Sequence, residues 1–79
     1  MDALQPIIFA LKELEDDSTT PKNVKLKIAS TIKVLSQNDE TSIKVSKALH
    51  ELEDIAEDSN VQPYTRTQIF NIVSLLEVV

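Results

Sequence analysis

Apolar residues recur along this chain at helical spacing, in four blocks separated by short polar stretches. In the first block Leu4, Ile7, Ile8, Leu11 and Leu14 fall at i, i+3, i+4, i+7 and i+10. That is one face of a helix running from Asp2 or Gln5 to Asp17. Asp2 or its neighbours are placed to cap its start, with Pro6 in the first turn, where a missing N–H is tolerated. Thr20-Pro21 opens the second block as a hydroxyl cap followed by proline at the first helical position. Its inner face is Val24, Ile28, Thr31, Ile32 and Leu35, and Asn38 stands where a left-handed residue would close the helix. Asn38 or Asp39 opens the third block. Its stripe of Val45, Ala48, Leu49, Leu52, Ile55 and Ala56 is the cleanest in the chain and ends at Asp58-Ser59-Asn60. Pro63 starts the fourth, with Ile69, Ile72, Val73 and Leu76 inward. Four helices with short connections predict an all-α fold, an antiparallel four-helix bundle.

An internal repeat points the same way. Residues 10–16 read Ala-Leu-Lys-Glu-Leu-Glu-Asp and residues 48–54 read Ala-Leu-His-Glu-Leu-Glu-Asp, six matches in seven at a separation of 38. After a three-residue insertion, Ile55-Ala56-Glu57, the pattern resumes at a separation of 41. Asp17-Ser18 then matches Asp58-Ser59, and Ile28, Ile32 and Leu35 match Ile69, Val73 and Leu76. The expectation is a single domain, 1–79, built from two similar helical hairpins, 2–37 and 39–79.

Composition narrows the chemistry. A chain of 79 residues lies near the lower limit for folding on its own core. With no Cys, and with His50 as the single His, a disulfide framework and a Cys/His zinc site are excluded. No catalytic residue, cofactor or metal is predicted. Glycine, the default for positive-φ turns, is absent, which argues against a multi-stranded sheet. The first six residues, Met1 to Pro6, lack the positive region of a secretory signal, and no stretch approaches the ~20 apolar residues that span a bilayer. A soluble, cytoplasmic protein is expected. The formal net charge of −5 disfavours nucleic acid and anionic membranes. The second helix is locally basic through Lys22, Lys25, Lys27 and Lys33, but these are spread around it without interleaved aromatics.

Two surfaces stand out as candidates. Acidic residues end the first and third helices, and in an up-down-up-down bundle Asp16, Asp17, Asp54, Glu57 and Asp58 gather at one end. The N-termini of the second and fourth helices arrive there too, so Asp17, Ser18, Asp58 and Ser59 are read as caps and the rest as solvated. The functional alternative is a docking surface for a basic partner, or a weak Mg²⁺ or Ca²⁺ site, although no spacing resembles a calcium loop. His50 lies opposite the Leu49/Leu52 face, with Asp54 four residues on as a partner. The second surface is Phe9, Tyr64, Thr67, Phe70, Asn71 and Ser74: aromatics, with Phe9 and Phe70 off the core stripes, and an uncharged polar stripe on the first and fourth helices, read either as edge-of-core packing beside a plain solvated face or as an interface. The reading is a non-enzymatic interaction module with an unknown protein partner or as a homo-oligomer, a dimer favoured. The alternatives are a cation- or small-ligand-binding protein using the acidic end, and a small nucleic-acid- or translation-associated factor working through the second helix.

At Pro63, Arg66, Thr67, Ile69, Asn71, Ile72, Ser74, Leu76 and Glu77 the chain resembles a family of short archaeal proteins of unknown function. The Asp17-Ser18…Pro21 joint and the Leu52-Glu53…Asp58 stretch are similar to it as well. The resemblance covers most of the chain from Leu11 onward and implies a compact four-helix bundle in an archaeal cytoplasm. It supplies no activity and no functional residues.

Overall fold

The computed structural model describes residues 3–79. The periodic blocks form α1 (Gln5–Asp16), α2 (Lys22–Ser36), α3 (Thr41–Ala56) and α4 (Pro63–Glu77), and no strand occurs among the described residues. Each helix turns its apolar stripe inward. Leu4, Ile7, Leu11 and Leu14 meet Val24, Ile28 and Leu35 of α2, Leu52 and Ile55 of α3, and Ile69, Ile72 and Leu76 of α4 in one core. Ile32, Val45 and Leu49, also expected inward, pack at its edge and stay partly exposed.

Helix backbones approach one another closely only between neighbours, in the order α1–α2–α3–α4–α1, and no diagonal pair does so among the described residues. Cross-links fix the direction. Asn23, Lys27 and Thr31 ascend α2 while their partners Asp58, Asp54 and Glu51 descend toward α3. The start of α3 (Thr41, Val45) shares a groove with the end of α4 (Leu76, Glu77), and the end of α1 (Glu13, Asp17) shares one with the start of α4 (Tyr64, Gln68). The bundle is antiparallel throughout. Its α1–α4 pair is the least closely packed.

Helix ends depart from the expectations. No residue among those described has positive φ. α1 and α2 end in extended residues, Asp17 (φ −70°, ψ 122°) and Gln37 (φ −72°, ψ 155°), so no left-handed cap is needed and Asn38 does not supply one. This is how the chain manages without glycine. The cap at Asp2 lies outside the described residues. Thr20 does not cap α2: Pro21 occupies the cap position, and the buried Thr20 hydroxyl turns back to donate to the Leu14 carbonyl at 3.0 Å. α3 starts from Glu40 rather than Asn38 or Asp39.

The two joints have matching bonds. Asp17 N–H donates to Leu14 O and Asp58 N–H to Ile55 O, at 3.2 and 3.0 Å. Thr20 N–H donates to Asp17 O and Val61 N–H to Asp58 O, at 3.1 and 3.2 Å. The carboxylates of Asp17 and Asp58 each accept the N–H two residues on, from Thr19 and Asn60, both at 2.9 Å. Every pair is separated by 41 residues. Burial follows the same separation: Leu11 with Leu52, Leu14 with Ile55, Ile28 with Ile69, Leu35 with Leu76. The six-residue identity at 38 instead sets the buried Leu11 against the partly exposed Leu49, so it lies nearly one turn out of structural step.

Candidate functional site

The acidic residues do reach one end of the bundle, but they face different ways. Asp17 bends into its own loop, where Thr19 donates from its N–H (2.9 Å) and its hydroxyl (2.7 Å). Those bonds, the backbone one first, hold the Asp17 carboxyl below its ordinary value, with Lys25 adding attraction. Asp58 is likewise occupied, by Asn60 N–H and by the Asn23 amide at 3.2 Å. Neither caps the following helix; both organise the loop before it. Asp54 pairs with Lys27 at 3.3 Å across the α2–α3 seam, not with His50, which stays exposed. Asp16 and Glu57 remain exposed. Among the described residues, no three His, Cys, Asp or Glu side chains are grouped to hold a metal ion. The acidic end is a set of loop staples with a solvated rim.

The α2–α3 seam is polar from Asn23 to Thr31. Beyond the Asn23 and Lys27 links, the half-buried Glu51 accepts from the fully buried Thr31 hydroxyl at 2.8 Å and from Ser30 at 3.1 Å. Sequence placed Thr31 on the inner face but gave Glu51 no partner. The i, i−4 position of Lys27 and Thr31 opposite an acidic helix was the available signal.

On α4, Phe70 and Tyr64 are 51% and 63% exposed, and Thr67, Asn71 and Ser74 are exposed beside them. Thr67 donates its hydroxyl to Pro63 O at 3.0 Å, so its polarity is spent inside its own helix. From Pro63 to Leu76 the only charge is Arg66. That guanidinium turns to the α3 side: Nε donates to Ala56 O (2.9 Å), and Nη2 donates to Asp58 O (3.2 Å) and Val61 O (3.4 Å). It closes the end of α3 and the loop after it. From Pro63 to Leu76 the outer face of α4 therefore presents aromatics, hydroxyls and amides with no free charge, and the exposed Glu77 ends it. Sequence reasoning missed this role for Arg66; a lone cation in an otherwise uncharged helix was the signal.

Phe9, 64% exposed, stands on the outward ridge of α1. The groove between α1 and α4, about 280 Å³, is lined by Ala10, Glu13 and Asp17 on one side and Tyr64 and Gln68 on the other, and neither phenylalanine enters it. Phe70 follows Arg66 by four residues and so lies on the α3 side of α4. The two phenylalanines thus occupy separate ridges; Tyr64 is the aromatic that joins α4 to α1.

These features define a small all-helical bundle protein whose distinctive surface is an uncharged helix face. The chain belongs to the uncharacterised protein family UPF0147, whose model matches residues 1–79. It is 39% identical over 75 residues to a UPF0147 protein of Archaeoglobus fulgidus, covering 94% of this chain and 85% of that one. It is 34% identical over 77 residues to the UPF0147 protein MJ1419 of Methanocaldococcus jannaschii, covering 96% and 83%. The crystal structure of the unknown function protein MMP1188 matches with a TM-score of 0.92 at 35% identity, over 99% of this chain and 90% of that one. The matched relatives are archaeal, as the resemblance implied. No helix among the described residues is long and apolar enough to cross a membrane.

Proposed function

We propose that the protein is a non-enzymatic interaction module, and that the outer face of α4 is where it meets a second copy of itself to form a dimer. The observation that carries this is that Arg66, the one charge between Pro63 and Leu76, is bound to the carbonyls at the end of α3. A chain of net charge −5 repels its own copies wherever its acids face each other. On α4, from Pro63 to Leu76, two copies meet without opposing charges, with Tyr64 and Phe70 as apolar anchors. A two-fold arrangement pairs this face with itself, which is the usual closed symmetry of dimers.

Area sets what else takes part. A standard interface occupies about 800 Å² per partner, and the whole chain exposes 5001 Å². One helix face about 22 Å long is a minor part of such an area, so a rim beside α4 must contribute. Phe9 on the α1 ridge and Tyr64 over the α1–α4 groove supply it on one side. Dilution tests this reading: amide resonances of Tyr64–Leu75 shift or broaden with protein concentration while those of α2 stay fixed. Uniform shifts across all four helices, or none, would contradict it.

A further inference from the structure

We propose that the outer ridge of α2 is a second docking surface, built for a compact acidic patch on a partner protein with Leu26 as its apolar contact. α2 holds four of the chain's eight cations and none of its thirteen anions. Its lysines divide by direction. Lys27 turns to α3 and enters the one ion pair among the described residues. Lys22 and Lys33 stay exposed, four residues before and seven after Leu26, which is itself 69% exposed. At about 100° per residue these three share one ridge, facing away from the core. The carboxylates of α3 that approach α2 are taken up by Asn23, Lys27, Ser30 and Thr31 on the other flank. Lys22 and Lys25 also sit in the first turn without an acidic residue, against the positive end of the helix dipole. An anionic occupant offsets that opposition.

The surroundings decide which anion fits. The ridge is bounded by Asp16 and Asp17 before α2 and by Asp39 and Glu40 after it. The fifteen residues of α2 span about 22 Å, against a screening length of about 8 Å at physiological salt. An extended polyanion such as nucleic acid overruns both ends into like charge, whereas a compact acidic patch fits between them. Leu26 is aliphatic and gives bases nothing to stack on, but it packs readily against an apolar side chain set among carboxylates. This ridge is separate from the α4 face, because α2 and α4 are diagonal in the bundle and their outer faces lie on opposite sides of the core.

The test uses the full chain and two labelled probes, followed by fluorescence anisotropy at low and at physiological salt. One probe is a helical peptide of glutamates with leucines along one side; the other is single-stranded oligo-dT of similar charge. The peptide is expected to bind, more weakly as salt rises. Lys22→Glu with Lys33→Glu reduces its affinity at least about tenfold, Leu26→Ala reduces it less, and Phe70→Asp leaves it unchanged. Circular dichroism, with Lys22→Gln/Lys33→Gln as a milder pair, separates lost binding from lost folding. Failure of the peptide to bind, or binding indifferent to charge reversal, overturns the proposal. Oligo-dT binding as tightly as the peptide overturns it in favour of nucleic acid, and self-association abolished by the charge reversal overturns it in favour of a second copy.

Discussion

The two joints of this bundle reach one geometry by different chemistry. After α1, the turn is closed by a neutral hydroxyl, Thr20 to Leu14 O. After α3, it is closed by the chain's only arginine, whose guanidinium takes three carbonyls. The residue 41 before Arg66 is Lys25, half-buried, which among the described residues joins no ion pair and donates its side chain to no carbonyl. Beside it, the first hairpin buries Val24 where the second buries Thr65, whose hydroxyl has no partner. Matching backbone bonds support the view that these are two copies of one hairpin, which stays a proposal. The difference in side chains teaches something further. The arginine that holds this loop is also the one charge between Pro63 and Leu76, so its bonds serve the joint and leave that stretch of α4 without a free charge.

The comparison breaks most visibly at Arg66. Arg66→Met strands three carbonyls and removes charge-assisted bonds, and is expected to destabilise the protein by about 2–3 kcal/mol. Thr20→Val should cost about 1 kcal/mol, the value of one neutral bond. Denaturant unfolding reads both, and equal losses would remove the distinction between the joints. Next is Thr65→Val, which copies Val24 into the second hairpin. It relieves a buried hydroxyl that is 1% exposed and unpartnered, and should raise stability by about 1 kcal/mol. A loss there would mean that the hydroxyl is satisfied in solution.

The smallest effect is the pH dependence of Asp17. Its carboxyl is held below the ordinary value of 3.8 in the fold. It therefore adds stability above that value, lost as pH falls through the lower folded one. Asp17→Asn should flatten the acid limb of stability below pH 3.8 and lose, at neutrality, the small stabilisation that the charged carboxylate adds. Unfolding curves at stepped acid pH give the answer; an unchanged limb would assign the acid sensitivity to other carboxylates.

The helices and most of the core were legible in the sequence because spacing alone decides which residues face inward. Leu11, Ile28, Leu52 and Ile69 needed no tertiary information, and all are fully buried. Helix ends were less legible. The Asn38 expectation assumed a left-handed cap, while the chain leaves α2 in extended conformation instead. Thr20 carried the right residue type beside the right proline, but its hydroxyl serves the helix behind it, a choice set by how α1 and α2 meet. The same holds for Glu51 and Arg66, whose partners lie on other elements. The repeat was visible, yet an acidic, leucine-rich run at 38 masked the separation of 41 that bonds and burial follow. For the candidate surfaces, spacing left Phe9 and Phe70 off the core stripes, and both are exposed. It could not see that Asp17 and Asp58 bond within their loops rather than capping the next helix, that Asp54 pairs with Lys27 rather than His50, or that Phe9 and Phe70 lie on different ridges.

The central claim is that α4, without a free charge from Pro63 to Leu76, is the face on which the protein pairs with itself. Sedimentation equilibrium on the wild type and on Phe70→Asp tests it most directly, with circular dichroism as the control for folding. The wild type should weigh twice the chain mass of 8.8 kDa, and the variant, equally helical, should weigh one. A variant that stays dimeric, or a wild type that is monomeric across the concentration range, would contradict the account.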